Sequence, residues 1–223
     1  MAEAQMFSVQ GEDQSFTFPQ SHVYVGVEFA DFIYQGNPAP FGGNYEFTGP
    51  LLRLEIETPN INLFMGTGGK LTGLDNATYF QAGIKGRYRF TIITNSFMDV
   101  RVPIQLHSDI ITVTNPSDLN TGSQFQQGAL LFGGGLNFLV RPGELMDVEL
   151  FAIPNAGISF STGGVFGGVV RELQLGMHIM REQVFGSIGL TAGYNYRLRT
   201  YDIDRETYDY HLTGHTAKVG ITF

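Results

Sequence analysis

Cysteine and tryptophan are absent from the 223 residues. Without thiols there is no disulfide framework, no thiolate metal site and no thiol nucleophile. Charge is scarce as well: Asp, Glu, Lys and Arg make up 15% of the chain, with a net charge of -8. A soluble domain carries about a quarter charged residues, so an ordinary water-covered surface fits poorly. The acidic balance, with no basic patch interleaved with aromatics, excludes nucleic acid as a partner. Long hydrophobic runs are missing too. The most apolar stretch, Ala129–Val140, is broken by Gly133, Gly134, Gly135 and Asn137, short of the roughly 18 residues a membrane helix needs. Met1 to Gln5 shows neither a basic n-region nor an apolar h-region, so no signal peptide is read there. A mature chain with an added start Met and a cytosolic start are equally compatible with it. Helical periodicity is nearly absent, as are internal repeats and linkers.

What is present is aromatic, glycine-rich and alternating. The chain is 43% hydrophobic, with 19 Phe, 10 Tyr and 29 Gly, enough to bury a core and exclude disorder. Between Ser187 and Tyr201 one set reads Ile188, Leu190, Ala192, Tyr194, Tyr196, Leu198. The interleaved set reads Gly189, Thr191, Gly193, Asn195, Arg197, Arg199. Phe80 to Ile93 and Met98 to Thr114 repeat the pattern, and strand pleating sends such alternate residues to opposite faces. Turn signals predict about ten strands near 20–34, 45–57, 61–69, 79–93, 97–113, 124–140, 147–161, 168–181, 185–201 and 209–223. Connections alternate between short (Pro59-Asn60, Asn95-Ser96, Arg141 to Met146, Glu182-Gln183) and longer ones rich in Gly, Asn and Asp. This predicts an all-β fold, a transmembrane up-and-down antiparallel β-barrel of about ten strands, with eight as the alternative. The barrel spans 20–223, preceded by a polar tail or plug over 1–19.

A soluble barrel shows the same alternation, but its water face needs dense Lys and Glu. Here the polar face is mostly Gly, Ser, Thr, Asn and Gln, with charges of both signs: Glu28, Arg53, Glu55, Lys85, Arg87, Arg89, Asp99, Arg101, Asp109, Glu172, Arg197, Arg199 and Lys218. Near-equal numbers suit mutual neutralisation inside a confined lumen. Aromatics near strand ends (Phe29, Phe32, Tyr34, Tyr45, Phe47, Tyr79, Phe80, Phe97, Phe160, Phe185, Tyr201, Tyr208, Tyr210) predict outward interfacial girdles. Pro50, Pro103 and Pro154 inside strands predict bulges. His215 falls on the lipid side unless a bulge near Gly214 changes the register. The chain ends with Val219, Ile221 and the terminal Phe223 at alternate positions. This ending resembles the outer-membrane signature read by the barrel-assembly machinery. The whole pattern resembles the small outer-membrane barrels of Gram-negative bacteria, the superfamily of OmpX, OmpW and the OmpA membrane domain, whose members have eight strands. The resemblance implies an outer-membrane location, a monomer, contact with outer-membrane lipids and lipopolysaccharide, and no cofactor.

A lumen of eight to ten strands fills with side chains. The expected pairing sets Lys85, Arg87 and Arg89 against Asp99, Arg101 and Asp109, giving a salt-bridged plug and a structural or surface-interaction role. The alternative is a narrow channel for small solutes or ions, kept open by room at Gly83, Gly133, Gly135, Gly189 and Gly193. A second alternative is a surface enzyme hydrolysing lipid or peptide. His107, Ser108 and Asp109 make no relay, because Ser108 points away from the other two. Asp202, Asp204, Asp209 and His211 are similar in kind to the Asp pair and Asp–His pair of omptin proteases, though here both pairs lie on one hairpin. Asp202, Asp204 and Asp209 are also the candidate oxygen ligands for a divalent cation, against the plainer reading of a solvated acidic loop. His22, His178 and His215 are isolated in sequence and read as hydrogen-bonding groups.

Overall fold

The computed structural model describes residues 21–35, 44–75, 77–114, 124–161, 166–202 and 209–223, and of 161, 166, 167 and 202 the backbone alone. The 1–19 tail, Tyr208, and Asp204 lie outside the described residues. Eleven strands follow in order: β1 His22–Gln35, β2 Tyr45–Glu57, β3 Ile61–Gly68, β4 Thr78–Thr94, β5 Met98–Thr114, β6 Gln124–Gly134, β7 Leu136–Gly143, β8 Met146–Ser161, β9 Phe166–Phe185, β10 Ile188–Asp202 and β11 Asp209–Thr222. All pairings are antiparallel, and the β4–β5 and β1–β11 ladders close the sheet on itself.

β6 and β7 are two pieces of one stave, both lying between β5 and β8, so the barrel has ten staves. The two prolines on either side explain the break. Pro103 on β5 and Pro154 on β8 both flank the gap at Gly134-Gly135, and neither has an N–H to give a central strand. The Gly135 amide instead reaches the Pro103 carbonyl at 3.2 Å. No register shift occurs at Pro50, Pro103 or Pro154 in the β1–β2, β4–β5 and β8–β9 ladders, so the expected bulges are replaced by one interrupted stave.

Stagger sets the dimensions. Following paired residues from His22 through Glu57, Asn62, Lys85, His107, Leu131, Gly157, Val170, Tyr201 and Tyr210 returns to β1 at Tyr34, a displacement of 34 − 22 = 12 residues. With standard rise and strand spacing, this stagger over ten staves gives a tilt of about 40° and a backbone radius of about 10 Å. Residues 58–60, 95–97, 144–145 and 186–187 make short turns at one end, where Ser21 and Phe223 exchange both backbone hydrogen bonds at 3.1 Å. The longer connections leave the other end.

The orientation of the two faces decides what surrounds the barrel. Val25, Val27, Leu52, Leu54, Met65, Ile84, Tyr88, Phe90, Leu106, Leu150, Met177, Leu190 and Val219 point outward and are exposed, whereas Glu28, Arg53, Asp109, Glu172 and Arg199 are buried inside. An apolar belt around a whole molecule far exceeds the few hundred Å² a water-soluble monomer tolerates. β4 carries outward apolar residues from Phe80 to Ile93 and β8 from Met146 to Phe160, long enough for a tilted strand to cross a bilayer. Closure satisfies the backbone groups that hydrocarbon cannot. The fold is a transmembrane up-and-down barrel.

Candidate functional site: the barrel lumen

Inward side chains form three tiers from the short-turn end to the loop end. The lowest holds Asp99 between Arg101 and Arg141, each at 2.5 Å, with Thr94 donating at 2.6 Å. Above it Arg89 faces Glu57 at 3.4 Å and Glu149 at 3.8 Å. Glu149 also meets His178 at 3.3 Å and accepts from Asn137 at 2.6 Å. Arg87 donates to Gln105 at 2.9 Å, which donates to Asn155 at 3.2 Å. His22, isolated in sequence, stacks on Tyr24 with ring centroids 5.5 Å apart, and Tyr24 in turn contacts His178. These groups surround a void of about 80 Å³ at the mouth and one of about 40 Å³ behind it, room for a few water molecules.

The middle tier is a continuous chain of charge. Arg53 sits between Glu28 and Glu55, the latter at 2.5 Å, and Lys218 reaches Glu55 at 2.5 Å while lying 4.1 Å above the Tyr24 ring. Arg197 bridges Glu28 at 2.6 Å and Gln81 at 2.8 Å; Gln81 passes the chain on to Asp109 at 2.6 Å. Arg199 extends it, 2.8 Å from Asp109 and 2.6 Å from Glu172. Four cations thus meet four carboxylates, and the donors of Gln81, Gln174 and His107 engage the remaining carboxylate oxygens. A buried ion costs several kcal/mol unless it is paired and hydrogen-bonded, and this chain of contacts meets that condition.

The uppermost tier is aromatic. Phe32 packs on Tyr79, Phe125 and Tyr210 at 6.2, 5.1 and 5.3 Å, Phe47 packs on Tyr79 at 5.3 Å, and Tyr201 on Tyr210 at 5.3 Å. Leu51, Ile111, Val113, Leu131, Val170 and Leu212 fill the gaps, all buried. Leu74 and Ala77, from the 69–77 connection, cap the cluster.

Several expectations from the pattern are corrected here. The girdle reading holds for Phe29, Phe80, Phe97, Phe160 and Phe185, which are exposed, but Phe32, Tyr45, Phe47, Tyr79, Tyr201 and Tyr210 point inward and are buried. Parity with Glu28 and Arg53 on the same strands settles this, since alternate residues share a face. The expected Lys85/Arg87/Arg89 against Asp99/Arg101/Asp109 pairing is replaced. Lys85 reaches Gln174 at 3.3 Å and lies 5.0 Å from the Phe64 ring, while the acids pair with Arg199, Arg101 and Arg141. The register sets Lys85 beside His107, Arg87 beside Gln105 and Arg89 beside Pro103, so Arg87 stays with its ladder neighbour while Lys85 reaches across the narrow lumen to β9. Glycine leaves no room: a Cβ at Gly83 would lie 2.6 Å from Phe64, and one at Gly133 would lie 2.1 Å from Asn155. Arg141, Gln81 and Gln174 were not singled out in the sequence; Gln81 and Gln174 alternate in phase with known lumen charges, whereas Arg141 was hidden inside an apparent turn.

Ser108 points outward as expected, while His107 meets Glu172 at 3.2 Å and Asp109 at 3.6 Å. His215 faces lipid with no register shift. Its cost is met locally, by the Tyr194 hydroxyl at 2.6 Å and the Tyr196 ring at 4.9 Å. Asp209 and His211 lie on the outward face of β11, not at the mouth of the lumen. Among the described residues there is no cluster of His, Asp and Glu able to hold a metal. Val219, Ile221 and Phe223 are outward and exposed beside the β1 seam.

No protein-family model matches the sequence, and no curated protein does. Among solved structures, the chain is similar to the outer-membrane protease OmpT of Escherichia coli, at 8% identity and TM-score 0.45, covering 92% of this chain and 95% of that one. It is similar to the translocator domain of the autotransporter NalP of Neisseria meningitidis at 10% identity and TM-score 0.41, covering 91% and 88%. For Ail, the attachment invasion locus protein of Yersinia pestis, the values are 10% identity and TM-score 0.28, over 92% and 99%.

Proposed function

We propose that the protein is an outer-membrane barrel of a Gram-negative bacterium with a structural or surface-interaction role, non-enzymatic, and with a lumen that does not conduct. The observation carrying this reading is the buried aromatic tier above a chain of paired charges. An open passage would leave part of Phe32, Leu51, Leu131 and Leu212 wet, yet each is 0% exposed. In this orientation the short turns face the periplasm, and Val219, Ile221 and Phe223 serve as the signal read by the assembly machinery.

Conductance across planar bilayers tests it. Purified full-length protein should give no discrete steps in 1 M salt. Reproducible ion-selective steps would overturn the closed-lumen reading in favour of a narrow channel, with Arg197 and Arg199 biasing it towards anions. Activity on peptide or lipopolysaccharide that is lost in Asp209→Asn or His211→Ala would overturn the non-enzymatic part.

A further inference from the structure

The apolar belt gives way to polar groups along its loop-side edge, where Thr48 donates to Asp31 on the outward faces of β2 and β1 and a row of donors crosses β9 to β11. Arg171 on β9, Thr200 on β10 and His211 on β11 stand in a single row, since Thr200 is opposite both Arg171 and His211 in the ladders. All three point outward and are exposed. The next outward row towards the short-turn end reads Leu173, Leu198 and Thr213, and the row after it Leu175, Tyr196 and His215. The donors therefore mark the level at which the belt gives way to polar surroundings.

Neither Arg171 nor His211 makes an ion pair or hydrogen bond among the described residues. Both line an outward hollow of about 410 Å³, together with Ile33, Val169, Thr200 and Asp209. Strand spacing places the Arg171 and His211 backbones about 10 Å apart across Thr200. A phosphate fits that interval, with the guanidinium fork on one side, the imidazole on the other and the Thr200 hydroxyl beneath. An arginine at the hydrocarbon boundary needs a counter-charge, and its planar fork matches phosphate geometry. Asp209 lines the same hollow with a partner of its own and opposes an anion there.

We propose that the Arg171–Thr200–His211 row binds the phosphate of an anionic membrane lipid at the loop-side edge of the bilayer, with the lipid's acyl chains running down over Leu173 and Leu198. The occupant is a lipid phosphomonoester rather than free phosphate, because the adjacent outward row, Leu173 and Leu198, gives acyl chains an apolar surface directly beside the donors.

The test is retention of phosphatidic acid against phosphatidylcholine by the folded full-length protein in mixed micelles, read by native mass spectrometry. Wild type should retain phosphatidic acid preferentially. Arg171→Gln with His211→Gln should cut that preference about fivefold or more, the size expected for a cation near a headgroup surface, and Asp209→Asn should raise it. Heat-modifiable gel mobility confirms that each variant is folded. Equal retention by wild type and the double variant would overturn the proposal. Millimolar inorganic phosphate that displaces phosphatidic acid completely would also overturn it, by making the site one for the free anion.

Discussion

Replacing Arg199 with Met should be among the most damaging single changes in the barrel. Its guanidinium is 0% exposed and joins Asp109 at 2.8 Å to Glu172 at 2.6 Å, both of which are also shielded from water. Met keeps much of the volume but strands two carboxylates that only Gln81, Gln174 and His107 then serve. Breaking one buried pair costs about 3–5 kcal/mol. With two acids left behind, the upper part of that range is expected, a large share of the roughly 5–15 kcal/mol that holds a typical domain together. Urea unfolding in lipid vesicles, followed by far-UV circular dichroism and gel mobility, measures the loss. Adding Glu172→Gln to Arg199→Met should recover about half of it, because one stranded charge is neutralised. A loss below about 1 kcal/mol, the size of a surface ion pair, would refute the reasoning, as would a double variant no more stable than the single.

Three further outcomes probe the other layers. Phe32→Ala removes the ring shared by Tyr79, Phe125 and Tyr210 and should cost about 3–5 kcal/mol in the same unfolding assay. Leu52→Arg puts a charge near the middle of β2 on the lipid side, where about 2–4 kcal/mol is expected, against about 0–1 for Phe185→Arg at the short-turn edge; equal losses would contradict the placement of the belt. A Cβ at Gly135 would lie 1.9 Å from the Ala152 carbonyl oxygen, whereas one at Gly143 meets nothing within 4 Å. Gly135→Ala should therefore lower the stability by about 1–3 kcal/mol while Gly143→Ala leaves it unchanged, both read by urea unfolding followed through heat-modifiable mobility.

Alternation along each strand was enough to assign nearly every side chain to one wall or the other, because pleating is a local property with a period of two. It located ten staves within a few residues, and put Arg53, Asp109, Glu172 and Arg199 inward and Leu54, Ile84 and Leu190 outward. Short-range geometry has no knowledge of height, however. Phe32 and Phe29 both sit near a strand end in the sequence, and only parity measured against Glu28 reveals that one seals the lumen while the other faces lipid. Pro103 and Pro154 are more than fifty residues apart in function as well as in sequence until closure sets them on either side of the same broken stave.

Charge pairing was decided by the tertiary structure alone. The displacement of 12 residues around the ring tilts the strands and brings Arg199 of β10 level with Asp109 of β5, ninety residues away, across a lumen narrow enough for one side chain to reach the far wall. The composition supplied both signs in near balance; the stagger chose the partners. The row of Arg171, Thr200 and His211 has the same origin, three residues that become neighbours when two antiparallel ladders fix their heights together.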